Sequence, residues 1–314
     1  MRGRARAIEA AVVQMYSAHP SPSRKDKLAY ASRRMALRLN CCGVTEDDYV
    51  GKDILDAGCG TGEYSCWFAS RGARVTGIDL SDGSLKEAKE YAEAAGLKSV
   101  RFEKRSVLQT GFPDASFDFV YCTGVLHHTP APFDGLKELC RVLRPGGKVL
   151  VSLYNSFGFF PRELRRRAAR FFGGDDLDRR VLWGQRLFPF TARKLAKGYR
   201  NDSQSALYDY FAIPHETLHS VGVVLGWFDQ LSIKYMGSFP PTCLGDYAAM
   251  IARAEYKSVE KEFQSRLGRM LERLDIATKM RRERPGVVSR LVMQAVWSVY
   301  GIGVFSMCGR NRVT

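Results

Sequence analysis

Residues 54–62 read Ile-Leu-Asp-Ala-Gly-Cys-Gly-Thr-Gly, a short apolar stretch that runs into a loop with three glycines. One carboxylate, Asp56, stands just before the loop. Glycine is needed where the backbone takes a positive φ or passes close to a ligand, because a Cβ would collide there. The stretch therefore predicts a strand followed by a turn that holds a nucleoside cofactor.

The spacing of these glycines indicates which nucleoside is bound. The dinucleotide fingerprint has a third glycine or alanine three residues after the second, so that a helix N-terminus can meet a pyrophosphate. Glu63 occupies that position. Its charge would repel a pyrophosphate, which argues against NAD and FAD. A second acid, Asp79, ends the next apolar strand, where doubly wound folds bind the ribose hydroxyls.

Further motifs follow in a fixed order over about 100 residues, and the whole set resembles the class I S-adenosylmethionine-dependent methyltransferases. Within that superfamily, the set resembles the small-molecule enzymes of ubiquinone and menaquinone biosynthesis. The segments that carry the resemblance are residues 55–62, 77–81, 112–118, 124–128 and 143–148.

The resemblance implies S-adenosylmethionine as the cofactor. Asp56 is expected to organise the glycine loop and the ammonium group, and Asp79 to accept both ribose hydroxyls. Relatives usually carry an acid after the third strand, where this chain has Ser106, so the adenine is expected to rest mainly on apolar contacts. The expected cofactor-binding residues are Asp56, Gly58, Cys59, Gly60, Thr61, Gly62, Asp79, Leu80, Ser106, Val107 and Thr123.

Apolar runs predict strands near residues 53–57, 74–79, 100–103, 117–122, 148–153 and 232–237, with helices between them. Strand and helix in alternation predict an α/β fold with a doubly wound, mostly parallel sheet of the Rossmann-like methyltransferase type. We divide the chain into an N-terminal helical lid (1–43), a cofactor-binding core (44–155), a substrate-side insertion with the last helix and strand of the core (156–240), and a C-terminal helical extension (241–314). Tyr16, His19 and Tyr30 are candidate lid residues.

The charge of the chain is unevenly distributed. The 314 residues carry a net charge of +15, with +7 in residues 1–40, −3 in residues 41–155 and +11 in residues 156–314. The basic flanks indicate an anionic partner, such as a membrane surface. The eight cysteines form no C-x-x-C pair, which is typical of reduced thiols in a cytoplasmic protein. We therefore expect a cytoplasmic location, with peripheral attachment to the inner face of the membrane left open.

Two segments outside the core bear on partners. Phe160, Leu164, Ala168 and Phe171 share one face of a basic helix, which suits either a membrane surface or packing on the core. Residues 291–308 carry no charge, and their length is at the lower limit for a membrane span. We expect a buried or homodimer-forming helix there first, in-plane membrane attachment second and a true span third.

Methyl transfer to a hydroxyl benefits from a general base. His128 is the leading candidate, with His127, Tyr154 and His215 behind it; the alternative is that His127 and His128 only shape the turn after the fourth strand.

His215-Glu216-Thr217-Leu218-His219 matches the H-E-x-x-H pattern of zinc peptidases. However, Pro214 precedes it, a helix is predicted to begin only near Ser220, and the place of a third histidine is taken by Leu225. We therefore predict no metal site.

Three functional hypotheses follow. The first is a methyltransferase for a small, hydrophobic acceptor such as a quinone, a lipid or a secondary-metabolite precursor. The second is an RNA or protein methyltransferase, suggested by the pI of about 9.6. Against nucleic acid, no base-methylase tetrapeptide follows the fourth strand. The third is a zinc metallopeptidase using His215, Glu216 and His219.

Overall fold

The computed structural model describes residues 2–18, 27–198, 203–251, 280–300 and 303–312. A seven-stranded sheet in the order β3-β2-β1-β4-β5-β7-β6 forms the centre of the fold. The strands are β1 (Asp53–Ala57), β2 (Arg74–Asp79), β3 (Val100–Lys104), β4 (Phe117–Thr123), β5 (Leu143–Tyr154), β6 (Ile233–Phe239) and β7 (Val304–Asn311). The first five strands pair in parallel, and β7 runs antiparallel to both β5 and β6.

This architecture confirms the predicted α/β class. The six predicted strands are all present, with ends that shift by a few residues; β5, for example, begins at Leu143. Parallel pairing requires crossover connections, which the helices between the strands provide. The carboxyl ends of β1, β2 and β4 consequently meet on one edge of the sheet, as the sequence predicts for a cofactor site.

The helices in chain order are α1 (Arg2–Ala18), α2 (Lys27–Cys41), α3 (Glu63–Ser70), α4 (Asp82–Ala94), α5 (Pro132–Arg141), α6 (Phe160–Gly173), α7 (Leu177–Leu187), α8 (Pro189–Gly198), α9 (Ser203–Leu207), α10 (Val221–Gln230), α11 (Leu244–Ile251) and α12 (Val287–Tyr300). Ser220 caps α10 as predicted, because its side chain accepts a hydrogen bond from the Val223 amide.

Both faces of the sheet are covered, because alternate residues of each strand point to opposite sides. On one side Leu55 and Val120 belong to a buried cluster with residues of α5, α10 and α12. On the other side Ile54 and Phe119 pack in a second cluster with Trp67 and other residues of α2 and α3. Two-sided burial explains why these strands are apolar runs and not alternating patterns.

The single helix predicted over residues 291–308 is wrong in its second half. Helix α12 ends at Tyr300, and β7 begins at Val304 and fills the gap between β5 and β6. The register sets Met307 opposite Val151. As a strand, this segment pairs with β5 and β6 and satisfies their facing backbone groups, which a helix at this place would leave unpaired. The segment assigned to a helical extension therefore contributes a strand to the core.

Two other predictions concern the ends of the chain. Among the described helices, none combines the length and hydrophobicity that crossing a bilayer requires. Helices α1 and α2 fall within residues 1–43, and the action of this segment as a lid stays a prediction. His19 lies outside the described residues, as does the side chain of Tyr30.

The insertion between β5 and α10 has a small core of its own. Val181, Leu207, Phe211 and Ala169 are buried together there. The apolar stripe on α6, for which packing on the core was one of the alternatives, does not face the core: Phe160, Leu164 and Phe171 are exposed, whereas Arg162, Ala169 and Gly173 form the buried side. The reason is the ion pairing of Arg162, described below.

Candidate active site

A cavity of about 550 Å³ opens at the carboxyl ends of β1, β2 and β4. Three parts of the chain line it. The strand ends and their loops contribute Gly58, Gly60, Asp79, Leu80, Val107 and Thr123. Helix α1 contributes Glu9, Val12, Val13 and Tyr16, and the insertion contributes Phe159, Arg162, Leu195, Asp209 and Tyr210. The cavity thus joins the predicted cofactor site to a chamber walled by the lid helix and the insertion.

The glycine loop has the backbone that its sequence predicts. Gly58 has a φ of +77°, and a Cβ there would lie 2.1 Å from Cγ2 of Val125. Gly60 has a φ of +52°, and a Cβ there would meet nothing within 4 Å. Gly58 therefore allows close packing on the loop after β4, whereas Gly60 faces open space inside the cavity. Cys59 and Thr61 are buried, and Gly62 caps the N-terminus of α3.

Asp56 is buried beneath the loop and does not line the cavity. Its carboxylate accepts a hydrogen bond of 2.5 Å from the Ser65 hydroxyl, which lies on α3. Burial raises the pKa of Asp56 to about 7. The observed contact ties β1 to α3; a direct role toward a cofactor ammonium stays a prediction.

Asp79 lines the cavity at the end of β2. Its two carboxylate oxygens accept hydrogen bonds of 2.9 Å, one from the Gly60 amide and one from the Ser81 amide. Each oxygen has two lone pairs, so one on each remains for a ligand. The backbone of the glycine loop thus orients a carboxylate toward the cavity, as the predicted ribose contact requires.

Ser106 and Val107 follow β3. Val107 lines the cavity, whereas the Ser106 hydroxyl donates a hydrogen bond of 2.8 Å to Glu9 on α1. Thr123, at the end of β4, also lines the cavity. Six of the eleven predicted cofactor residues therefore line the cavity; of the other five, Asp56 lies on β1 and the rest lie in the loops after β1 and β3.

His128 is the imidazole that faces the chamber. Its Nδ1 lies 3.2 Å from the carbonyl oxygen of His215, and a carbonyl can only accept, so Nδ1 carries the proton. Its Nε2 lies 3.4 Å from the Tyr16 hydroxyl, which donates to Asp209 at 3.0 Å. The Nε2 lone pair is thereby available to accept a proton. Burial lowers the pKa of His128 to about 4, so the ring is neutral near pH 7.

Of the other predicted catalytic candidates, one lines the cavity and two do not. Tyr154 lines the cavity, but burial raises the pKa of its hydroxyl far above 10, so it stays protonated. His127 is buried behind it, with its ring stacked on that of Tyr154 at a centroid distance of 3.6 Å. His215 does not line the cavity; its Nε2 lies 3.2 Å from the carbonyl oxygen of Thr129. Of the four candidates, His128 and Tyr154 line the cavity and His127 and His215 do not; the choice of a catalytic base stays a prediction.

Arg162 on α6 forms the far wall of the chamber. Its guanidinium lies 3.2 Å from the Glu216 carboxylate, which also pairs with Arg166. It also donates to the backbone oxygen of Asp209 at 2.6 Å. The rings of Tyr154 and Phe159 lie against the guanidinium, with centroids 5.1 and 4.8 Å away. This buried network holds the insertion against the core.

The zinc-peptidase hypothesis is contradicted by this geometry. Glu216 is engaged by two arginines, and His215 and His219 lie on an irregular segment before α10, not on one helical face. His219 is bonded to Thr217 at 2.8 Å. Within the described part of the chain, no group of histidine, cysteine and carboxylate side chains is arranged to hold a metal ion.

Arg162, Asp209 and Glu9 line the cavity but are not predicted as site residues by the sequence. They enter it from α6, from a π-helical turn at Tyr208–Ala212 and from α1. Single-turn π-helices occur often at functional sites. The aromatic run around Asp209 is the one sequence signal that points to this segment.

Comparisons with known proteins agree with this geometry. Residues 55–151 match the family model described as a methyltransferase domain. The chain is 40% identical over 121 residues to the ubiquinone biosynthesis O-methyltransferase of Idiomarina loihiensis, covering 38% of this chain and 49% of that protein. Residues 55–151 are therefore a methyltransferase domain, and these similarities support the class I S-adenosylmethionine-dependent type.

Two further similarities of the chain are informative. The 27-O-demethylrifamycin SV methyltransferase of Amycolatopsis mediterranei is 38% identical over 102 residues, which cover 32% of this chain and 38% of that protein. The structure of PKMT2 from Rickettsia typhi superposes with a TM-score of 0.56 at 15% identity, covering 93% of this chain and 56% of that one, which shows the fold alone. The chain spans about half or less of the length of the curated relatives it matches.

S-adenosylmethionine is the cofactor that this superfamily implies, and the residues present fit it. Asp79 retains acceptor capacity for ribose hydroxyls, and the space over Gly60 leaves the loop open to a ligand. Leu80 and Val107 supply apolar contacts for a base. The connected chamber allows an acceptor to reach the cofactor away from bulk water.

Proposed function

We propose that this methyltransferase transfers a methyl group from S-adenosylmethionine to a hydroxyl oxygen of a small, largely apolar acceptor. The observation that carries the proposal is the position of His128. Its Nε2 faces a chamber that opens directly onto the predicted cofactor site. The similarity to two proteins named as O-methyltransferases or acting on an O-demethylated compound supports oxygen as the acceptor atom.

When bound, S-adenosylmethionine supplies a methyl group that is already activated by the positive charge on sulfur. The chain has to hold the acceptor in line, exclude water and take up the hydroxyl proton. His128 Nε2 accepts that proton. The resulting imidazolium can donate to the Tyr16 oxygen, whose own proton is held by Asp209. Asp209 raises the pKa of His128 against the effect of burial, so the carboxylate stabilises the protonated ring.

The walls of the chamber indicate the class of acceptor. Phe159, Leu195, Ala206, Tyr210 and Val304 line it alongside the polar groups. Aromatic and aliphatic walls with a few oriented polar groups are typical of sites for small organic ligands. An acceptor with an aromatic ring or a short apolar skeleton and one hydroxyl near His128 fits this lining.

The acceptor class is tested by incubating the purified protein with a cell extract and S-adenosylmethionine carrying a labelled methyl group. We expect the label in material that an organic solvent extracts, identified by mass spectrometry. Label recovered in RNA or in protein, with none in the organic phase, would contradict the proposal. The catalytically impaired variant described in the Discussion serves as the background control.

We also propose that the insertion docks on an anionic membrane surface. The side chains of Phe171 and Phe190 are each 82% exposed, and Phe160 and Phe172 are at least half exposed. Residues 160–198 carry eleven lysines and arginines against four acids. The side chains of Arg167 and Arg179 are more than 70% exposed. Exposed aromatic groups among basic residues suit a surface of anionic lipid headgroups.

Flotation with lipid vesicles tests this docking surface. We expect the protein to float with vesicles that contain phosphatidylglycerol and to remain at the bottom with neutral phosphatidylcholine. Changing both Phe171 and Phe190 to serine should abolish flotation, because it removes two exposed anchors. Val50→Ser is the matched control. Val50 is also an exposed apolar residue, but it belongs to the cofactor-binding core (44–155) and not to the insertion. Equal flotation of the double variant and the control would contradict docking through the insertion.

Homodimer formation through α12 remains a proposal. Met293 and Trp297 on this helix are buried in the core, whereas Val288 and Leu291 are exposed. Sedimentation of the wild type and of a Leu291→Glu variant distinguishes a homodimer from a monomer. A monomer in both would contradict the dimer.

A further inference from the structure

Helix α1 brings a carboxylate into the cofactor half of the cavity. Glu9 lines the cavity together with Asp79, Leu80 and Val107. Its Oε1 accepts the hydrogen bond of 2.8 Å from the Ser106 hydroxyl, which itself accepts from the Leu108 amide at 3.1 Å. A serine hydroxyl has one proton, and here Glu9 takes it. Ser106 therefore serves to orient Glu9 and has no second proton for a ligand.

Glu9 lies on the part of the cavity wall where the base of a bound nucleoside would be. Asp79 ends β2, and the residues after β3, the neighbouring strand, form the next part of the wall. With its ribose at Asp79, a nucleoside directs its base toward that wall. Val12, Val13, Leu80 and Val107 offer apolar contacts there. Arg105, the nearby cation, donates to Glu103 and to the Thr110 carbonyl.

The edge of the base determines what chemistry is needed. Adenine presents an exocyclic amino group, which is a hydrogen-bond donor. A carboxylate is an acceptor-only group with several lone pairs, and Glu9 uses one oxygen for Ser106. Its other oxygen can accept from an amino group.

The same helix also reaches the acceptor chamber. Tyr16 lies seven residues after Glu9, which is two helical turns, so both side chains fall on one face of α1. Val12 and Val13 lie between them and line the cavity. Tyr16 contacts His128 and Asp209. One face of α1 therefore spans the cofactor base at one end and the catalytic histidine at the other.

We propose that Glu9, oriented by Ser106, recognises the amino group of adenine and thereby couples cofactor binding to closure of α1 over the site. A bound adenosine adds a hydrogen bond that only the closed helix can make, so the cofactor stabilises the closed state. Closure in turn places Tyr16 against His128. The inference rests on the cofactor assignment but not on the acceptor proposed above.

Calorimetry with two stable cofactor products tests the recognition step. S-adenosylhomocysteine carries the amino group, and S-inosylhomocysteine carries a carbonyl oxygen in its place. We expect the wild type to bind the adenosyl compound at least about tenfold more tightly, the effect of one hydrogen bond to a charged group. Glu9→Ala should lose this preference by weakening only the adenosyl compound. Glu9→Gln should bind the inosyl compound better than the wild type does, because its amide can donate to the carbonyl.

Hydrogen exchange tests the closure. Binding of S-adenosylhomocysteine should slow amide exchange over residues 2–18 in the wild type and not in Glu9→Ala. The double variant Glu9→Ala with Ser106→Asp should regain preference for the adenosyl compound, because the acid returns from the strand side, while α1 stays unprotected.

An unchanged ratio of the two affinities in both Glu9 variants would overturn the inference and would leave the cofactor assignment unaffected. Absence of binding by the wild type would overturn the cofactor assignment as well. Slower exchange of α1 in Glu9→Ala, equal to that of the wild type, would contradict the coupling.

Discussion

The His128→Gln variant is expected to lose about 10²- to 10⁴-fold in kcat, the usual contribution of a positioned general base. Glutamine fills similar space but cannot accept a proton near neutral pH. Binding of S-adenosylhomocysteine should be unchanged, because His128 lies on the acceptor side of the cavity. The measurement is a steady-state assay with the acceptor identified from the labelled extract, together with calorimetry of cofactor binding.

The pH profile and a matched variant separate catalysis from structure. Burial lowers the pKa of His128 to about 4, and the base must be neutral to work. Wild-type kcat/KM should therefore be flat between about pH 6 and 8 and fall only in more acid solution. His215→Gln is the control, because that ring does not line the cavity. A His215 variant as inactive as the His128 variant would contradict the assignment of the base.

The Asp79→Asn variant is expected to bind S-adenosylhomocysteine about 100-fold more weakly, since hydrogen bonds to a charged group contribute about 1.5–3 kcal/mol each. Two effects act together. Asparagine offers one acceptor oxygen where the wild type uses both, toward the Gly60 and Ser81 amides. Its amide nitrogen then faces a backbone donor and disturbs the loop. Isothermal calorimetry measures the loss.

Asp82→Asn is the matched control for this result. Asp82 begins α4 a few residues away, is exposed and pairs with Lys104 outside the cavity. It should retain wild-type affinity, and thermal melting of both variants should show an intact fold. Equal affinity of Asp79→Asn and the wild type would show that Asp79 does not contact the ribose.

Much of the fold can be predicted from the sequence because local and global signals agree there. Strands β1, β2 and β4 are short, largely apolar runs, as buried parallel strands must be. The glycine loop after Ala57 marks the end of β1. The acid of the ribose site could be predicted for the same reason, since the end of β2 is unambiguous at Asp79.

The seventh strand could not be predicted, because residues 291–308 are uniformly uncharged and their pattern does not distinguish helix from strand. Tertiary contacts decide that residues 304–311 form a strand. The partners of β7 on β5 and β6 lie far away in the chain. A Cβ on Gly303 would lie 1.5 Å from Cε1 of Phe159, so only glycine fits before the strand. Gly301 and Gly303 were the available signal for the end of the helix.

The candidate site also has one half that local sequence predicts and one half that depends on long-range contacts. The cofactor half is local, because a single strand-to-helix turn and one strand end supply most of it. The acceptor half is assembled from distant segments: Tyr16 meets Asp209 across 193 residues and His128 across 112. Glu9 and Ser106 meet across 97 residues. Sequence patterns carry no such pairings, so Tyr16 could be predicted as a lid residue but its partners could not. The predicted domain boundaries at residues 43, 155 and 240 stay predictions.

A crystal structure of the protein soaked with S-adenosylhomocysteine tests the central claim most directly. We predict the nucleoside over Gly60, its ribose hydroxyls within hydrogen-bonding distance of Asp79, and its sulfur facing the chamber that holds His128. Density for a dinucleotide in this cavity, or none after soaking at concentrations that saturate related enzymes, would contradict the account.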